Sequence, residues 1–226
     1  MTLIFQTKQV NSVDISHDGR YLVAGSDDMS VGLYDLESGT KVNTYYNRAY
    51  GVDLVRFTHH NKCILCVSRR AQENRIMYWS LHDNNILCSF LGHTEPITGI
   101  DLSPSNSTFL SSSSDGTTRI WDYTAKQSVI KFNRSRGGCF DNTGRVLACL
   151  FVKQGKSDDA QALSLDQMIH LFKTENFREK PFQTFTIENE SQEIRQMKFS
   201  PNGKFLLLAT GKDTLLLLNA HSGLIA

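Results

Sequence analysis

The stretch SPSNSTFLSSSSDGTTRIWD at residues 103–122 decides the fold. Just before it, Gly99-Ile100-Asp101-Leu102 alternates in the period-two manner of a half-buried strand. The polar segment PSNS interrupts that strand and TFLSSS begins another. Asp115-Gly116 is placed for a tight turn into a third strand, which ends at Trp121-Asp122. Short strands separated by turn residues, with scarce helical periodicity, describe an antiparallel all-β unit.

Four other segments repeat the pattern: VDISHDGRYLVAGS at 13–26, CFDNTGRVLACL at 139–150, MKFSPNGKFLLLAT at 197–210 and, as a weaker copy, VRFTHHNKCILCVS at 55–68. With Ser16, Thr58, Ser103, Asp141 and Ser200 as anchors, the spacings are 42, 45, 38 and 59 residues. Three of them match the ~40–45-residue period of a four-stranded propeller blade. Eighteen residues after Ser16, Ser103 and Ser200 stand Tyr34, Trp121 and Leu218, followed by Asp35, Asp122 and Asn219. Each is a large side chain ending a third strand, then a turn-forming acid or amide. Trp79-Ser80 and Phe172-Lys173 hold that place in the second and fourth units. The long fourth spacing has a local cause, because the polar stretch KQGKSDDAQALS at 153–164 reads as an extended loop between strands two and three. Five blades are expected, at approximately 8–46, 50–90, 95–132, 136–186 and 192–226, in one propeller domain spanning 1–226.

Composition narrows the function classes. The chain has 226 residues, 40% apolar and 21% charged, with a net charge of +1. That balance does not describe a general nucleic-acid or membrane binder. The five cysteines are odd in number, which excludes a fully paired disulfide framework and favours reduced thiols in an intracellular protein. The opening MTLIFQTKQV lacks a basic start and a long apolar stretch, so no signal peptide is expected. The apolar runs Phe205–Ala209 and Leu215–Leu218 fall far short of the ~20 residues of a membrane helix. Asn106, Asn133 and Asn189 head glycosylation-type triplets, read as chance matches in the absence of a secretory signal.

Gly92-His93 ahead of the third unit and Trp121-Asp122 within it resemble the two signature dipeptides of the WD-repeat β-propeller family. The resemblance covers most of residues 8–226. In unit two, YGVDLVRFTH at 50–59 and SLHDN at 80–84 are similar to a narrower branch, as are SSSSDGTTRIWD and GGCFDNTGRVLA. That branch is the small WD-repeat subunit shared by the COMPASS histone methyltransferase and the cleavage and polyadenylation factor. The resemblance implies a nuclear, non-catalytic scaffold without cofactors. Its partners would be protein subunits of a methyltransferase or polyadenylation complex, with no sequence-specific nucleic-acid binding and no membrane. It also implies a hydrogen-bonded set inside the third blade, formed by His93, Asp115, Trp121 and one of Ser111 or Ser113. A buried indole N–H and imidazole need partners, so these residues are structural. Seven blades are implied, at ~40–45 residues each. Five units therefore predict an open or shortened ring, with Leu3-Ile4-Phe5 as the strand that would complete a closing blade.

Other constellations carry less. His59-His60-x-x-Cys63-x-x-Cys66 offers four zinc-type ligands, but Cys63 and Cys66 fall on opposite faces of a regular strand, which favours core cysteines. Cys88, Cys139 and Cys149 also read as small apolar packing residues. Gly155-Lys156-Ser157 has Leu150 where a phosphate-binding loop needs glycine. A cullin-type substrate receptor is the alternative function; it commonly carries Arg two residues after Trp-Asp, where this chain has Thr124 and, after Tyr34-Asp35, Glu37. Direct RNA binding through basic loops is weakened by the near-neutral charge. Tyr50, Arg69, Arg70 and Arg134 are the candidate partner-binding residues. Connections of these types open on one face of a propeller, and Arg and Tyr are typical interface anchors. Arg75, Arg136, Tyr45 and Tyr46 are their neighbours in the same connections.

Overall fold

The computed structural model describes residues 8–70, 73–154, 165–187, 193–211 and 214–225. Leu3-Ile4-Phe5, Gly155-Lys156-Ser157 and Asn189 lie outside the described residues. Among the described residues every regular element is a strand, and no helix is long and apolar enough to cross a membrane. The strands form five antiparallel sheets, each ordered as it runs along the chain. They are β1–β4 (Val10–Ile15, Tyr21–Ser26, Ser30–Asp35, Thr40–Tyr46), β5–β8 (Val55–Phe57, Cys63–Val67, Ile76–Ser80, Asn85–Phe90) and β9–β12 (Ile97–Leu102, Thr108–Ser113, Thr117–Asp122, Gln127–Asn133). The fourth sheet is β13–β16 (Ser135–Phe140, Val146–Gln154, Leu165–Lys173, Gln183–Ile187) and the fifth is β17–β19 (Ile194–Phe199, Phe205–Thr210, Leu215–Asn219). This is the meander of propeller blades.

One local device recurs in all five sheets. The anchor residue donates its N–H to the carbonyl five positions later: Ser16 to Tyr21 at 2.8 Å, Thr58 to Cys63 at 3.0 Å, Ser103 to Thr108 at 3.0 Å, Asp141 to Val146 at 2.9 Å and Ser200 to Phe205 at 2.8 Å. In three turns the anchor's side chain also accepts the return N–H, from Tyr21 to Ser16 Oγ, Val146 to Asp141 Oδ1 and Phe205 to Ser200 Oγ. The residue six after the anchor then faces the large third-strand side chain: Leu22 opposite Tyr34, Ile64 opposite Trp79, Phe109 opposite Trp121, Leu147 opposite Phe172 and Leu206 opposite Leu218.

Two of these turns allow a clean comparison. Gly19 and Gly144 both lie in the left-handed region, at φ 71° and 69°. A Cβ on Gly19 would meet open space, whereas one on Gly144 would fall 2.7 Å from the Ser105 Cβ and 3.0 Å from its backbone nitrogen. Gly19→Ala is therefore expected to cost only the dihedral strain, about 1–2 kcal/mol. Gly144→Ala should cost clearly more, because backbone must move. Parallel thermal melts check the order; equal costs would show that the Ser105 contact gives way freely.

The chain divides into two compact units, residues 1–100 with 123–127, and 101–122 with 128–226. In the first, the first sheet lays Val23, Val31 and Leu33 on Val52, Val55, Phe57, Ile64 and Cys66 of the second sheet and its entry. Full burial of such a side chain contributes about 1.5–3 kcal/mol. Gly25 sits at the closest approach, where an added Cβ would meet the Asp53 carbonyl at 2.8 Å. In the second unit, Leu110 and Ile120 pack with Phe140, Leu147, Cys149 and Phe172, and Ala148, Leu150 and Leu171 pack with Met197, Leu206, Leu208 and Leu218.

The expected loop at 153–164 needs one correction. Lys153 and Gln154 belong to β14, which pairs with β15 through Lys153–Asp166 and Gln154–Leu165; residues 155–164 lie outside the described residues. Polar side chains do not end a hairpin whose backbone ladder is still satisfied by its partner.

Candidate functional site: an arginine–tyrosine cluster and the blade hydrogen bonds

In the third blade, β10 and β11 set Phe109 opposite Trp121 and Ser111 opposite Arg119. The buried Trp121 indole donates from Nε1 to Ser111 Oγ at 2.8 Å. Ser113 serves the next turn instead, where its Oγ accepts the Asp115 N–H at 3.1 Å. Asp115 Oδ1 accepts the Thr117 N–H at 2.9 Å and the Thr117 hydroxyl at 2.6 Å, while Gly116 takes φ 72°. The first blade holds the corresponding turn in the same way, with Asp28 Oδ1 accepting from the N–H and hydroxyl of Ser30. These groups hold turns and a strand register. His93 belongs to the first unit and is buried.

Tyr50, Arg69 and Arg70 come together in the first unit. The Tyr50 carbonyl accepts the Arg69 N–H at 3.1 Å, the Arg70 N–H at 3.3 Å and the Ser68 hydroxyl at 3.1 Å. That convergence fastens the β6–β7 connection to the segment entering β5. Arg69 pairs with Asp27, and Arg70 Nη2 donates to the Arg48 carbonyl at 3.1 Å. Arg75, only a neighbour of the candidates in the sequence, is central here. Its guanidinium lies 4.4 Å above the Tyr50 ring, and it also reaches Glu73 at 3.1 Å and Ser89 Oγ at 3.4 Å. Tyr45 is buried in the core, edge-on to Trp79, whereas Tyr46 is exposed beneath the Arg48 guanidinium at 5.9 Å. The result is a surface of four guanidinium groups and two aromatic rings, tempered by Asp27 and Glu73. Arg134 belongs to the second unit, at the left-handed residue between β12 and β13, where its carbonyl accepts the Val152 N–H at 3.0 Å. Its neighbour Arg136 pairs with Glu193.

Cys63 and Cys66 are both in β6, and Cys66 is part of the core shared by the first two sheets. Burial pushes the Cys66 thiol up to about 12 and raises the Cys63, Cys139 and Cys149 thiols as well. No group of three or more metal-type side chains is assembled among the described residues. Only the thiolate reacts readily, so native protein treated with iodoacetamide at pH 8 should be modified at the half-buried Cys88 and spared at the other four. Intact mass checks this; rapid labelling of Cys66 or Cys149 would contradict their burial.

Sequence reasoning missed a link between successive sheets. Asp14, two residues before its anchor, accepts the Phe57 N–H of the next sheet at 2.7 Å. Asp101, at the same repeat position, accepts the Phe140 N–H at 2.9 Å and Lys198 Nζ at 2.5 Å. The signal was present, as an aspartate at a strand position where solvated turns do not explain it.

Five antiparallel meanders with a common anchor turn, and an indole–serine bond where the repeat is best preserved, define a propeller-blade repeat protein. The family model for the WD domain, G-beta repeat, matches residues 1–35, 84–122 and 179–218, and the chain belongs to that family. It is 32% identical over 220 residues to WD repeat-containing protein 82 of Drosophila melanogaster, covering 96% of this chain and 65% of that protein. It is 31% identical to the Set1 complex component swd2 of Schizosaccharomyces pombe, over 95% of this chain and 58% of that protein. With the COMPASS component SWD2 of Saccharomyces cerevisiae the figures are 27%, 95% and 62%. The chain thus spans less than two thirds of the length of these relatives.

Proposed function

We propose that this chain is a non-catalytic scaffold subunit in the nucleus, acting in a COMPASS-type histone lysine methyltransferase complex, in the mRNA cleavage and polyadenylation machinery, or in both. Partner peptides dock on the surface around Tyr50, Arg69 and Arg70 of the first unit, and Arg134 is a separate candidate contact of the second unit. One observation carries this reading: the similarity to proteins named as Set1 complex and COMPASS components runs along 95% of the chain and is not confined to one repeat. The local chemistry supports it. Arginine and tyrosine are the side chains that anchor protein interfaces, and the Tyr50 ring is stiffened by Arg75 before any partner arrives. A net charge of +1 favours discrete contacts over a general polyelectrolyte attraction.

The decisive experiment is affinity purification of the tagged chain from its native source, with the partners identified, beside an Arg69→Glu, Arg70→Glu variant. Methyltransferase or polyadenylation subunits should accompany the parent chain. The variant should lose about tenfold or more in capture, since tenfold corresponds to only about 1.4 kcal/mol. Its melting temperature should barely move, because Arg69–Asp27 is a surface pair worth at most about 1 kcal/mol. Undiminished capture would exclude this surface, and cullin adaptors in place of methyltransferase or polyadenylation subunits would overturn the functional assignment.

A further inference from the structure

Two turns in the molecule share one skeleton and differ at one telling residue. In the third sheet, β10 turns into β11 through Ser114-Asp115-Gly116. Gly116, at φ 72°, donates its N–H to the Ser113 carbonyl at 3.2 Å, and its own carbonyl accepts the Ser135 N–H at 3.0 Å. In the first sheet, β2 turns into β3 through Asp27-Asp28-Met29. Met29, at φ 65°, donates to the Ser26 carbonyl at 3.1 Å and accepts the Asn47 N–H at 2.9 Å. Each turn is locked by an aspartate that accepts the N–H and the hydroxyl of the residue two further on, Asp115 from Thr117 and Asp28 from Ser30. The turn thus demands a left-handed residue, which glycine supplies freely and methionine supplies under strain. Four non-glycine residues among those described take this conformation, and Met29 is the apolar one.

The blade does not require a side chain here. The third sheet makes the same turn with none, and a Cβ built on Gly116 meets no atom within 4 Å. Met29 is exposed. A strained residue that its fold does not need points to a function for the side chain. Its surroundings are the arginine–tyrosine surface of the first unit. Asp27, two residues before it, pairs with Arg69, and its own carbonyl holds the backbone between Tyr46 and Arg48. Tyr46 stands opposite Ser30 and is 54% exposed beneath the Arg48 guanidinium. Exposure at that position belongs to the repeat and not to the first sheet alone. Leu91 and Asn133, which likewise follow a buried aromatic, Phe90 and Phe132, are exposed in the second and third sheets. Methionine adapts its shape to whatever packs on it, and apolar anchors ringed by charge are how interfaces are built.

We propose that Met29, with the Tyr46 ring, is the apolar anchor of this docking surface, and that the segment it receives carries a bulky apolar side chain beside carboxylates. The apolar group packs on Met29 and Tyr46, and the carboxylates meet the guanidinium groups of Arg48, Arg69 and Arg70. The inference rests on the docking of partner peptides at this surface.

Strain and binding pull in opposite directions at residue 29, and three variants separate them. Each is tagged and purified from the native source beside the parent, with the accompanying subunits identified and quantified. Met29→Gly should raise the melting midpoint by about 1–3 °C as the strain is relieved, yet lower capture about tenfold. Met29→Gln keeps the length and the strain; its midpoint should stay within about 1 °C of the parent while capture falls as far. Met29→Leu should keep capture within about twofold. Short peptides tiled across the captured subunit, bound by the parent and not by Met29→Gln, should carry a bulky apolar residue next to Asp or Glu. A Met29→Gly chain that captures the same subunits undiminished overturns the proposal and leaves the scaffold reading intact. So do peptides held by acidic residues alone. Other partners in place of methyltransferase or polyadenylation subunits, lost equally from Met29→Gln, overturn the scaffold reading and leave the anchor standing. A parent that captures nothing overturns both. If Met29→Gly melts lower than the parent, the Gln and Leu variants decide by capture alone, since their backbone strain is that of the parent.

Discussion

Trp121→Ala should be among the most destabilising single changes in the third blade, lowering stability by about 3–5 kcal/mol, the cost of truncating a large buried aromatic side chain. For a chain of this length each kcal/mol moves the melting midpoint by about 2–4 °C, so the shift should be read easily in a thermal melt. The indole is buried, lies 6.4 Å from the Phe109 ring in a stacked arrangement, and gives its N–H to Ser111 Oγ. Two contributions are therefore combined, and they separate experimentally. Trp121→Phe keeps most of the apolar contact and loses the hydrogen bond, worth about 0.5–1.5 kcal/mol net. In a Ser111→Ala background that bond is already gone, and Trp121→Phe should then cost less by about that amount. A double-mutant cycle measures the difference. Zero coupling would mean that Ser111 is not the working partner of the indole and that another acceptor has taken its place.

That serine shows what could be read from the sequence and what could not. Ser111 and Ser113 are two residues apart on one strand and so point to the same face. Spacing alone leaves either as the indole's acceptor. The choice depends on the register of β10 against β11 and on the Asp115 turn, whose N–H is bound by Ser113. The five anchor turns, by contrast, were legible because they are local: a five-residue reversal with its polar residues at fixed offsets needs no distant partner. The same distinction explains the tyrosines. Tyr45 and Tyr46 are adjacent in β4 and therefore face opposite ways, one into the core with Trp79 and one outward beneath Arg48. The family and its blades follow from local repetition. The grouping of Tyr50 with Arg69, Arg70 and Arg75 requires two connections to meet, and Arg75's place over the ring has no signature in sequence. Exposed Leu207 and Leu217 were likewise hidden, because a strand reading FLLLAT or LLLLN looks buried on both faces.

Asp101→Ala is expected to cost about 2–3 kcal/mol, a large effect for a side chain at the end of a strand. The carboxylate accepts the N–H of Phe140, a backbone group of the adjoining sheet, and the ammonium of Lys198, from the sheet after that. Removing the acceptor strands a buried N–H, a penalty of about 1–3 kcal/mol. Lys198 contributes far less: its side chain is 54% exposed, so water replaces the lost carboxylate and the pair is worth at most about 1 kcal/mol. The two roles give a definite order. Asp101→Asn retains an oxygen for the Phe140 N–H and should lose under about 1 kcal/mol, and Lys198→Ala should lose no more. If instead the asparagine variant is as unstable as the alanine variant, the charge and not the hydrogen bond holds these sheets together. Hydrogen exchange gives a second, site-specific measure: the Phe140 amide should exchange faster in Asp101→Ala and stay protected in Asp101→Asn. Asp14 makes the same bond to Phe57 in the first unit, and Asp14→Ala should expose the Phe57 amide in the same way. The remaining units carry Arg56, Cys139 and Lys198 at this position. Lysine and arginine side chains cannot accept an N–H, and the Cys139 thiol is a weak acceptor. The link is therefore a property of two particular aspartates, and the fourth and fifth sheets are joined by a different one, in which the Ile194 N–H donates to Gln167 Oε1 at 2.8 Å.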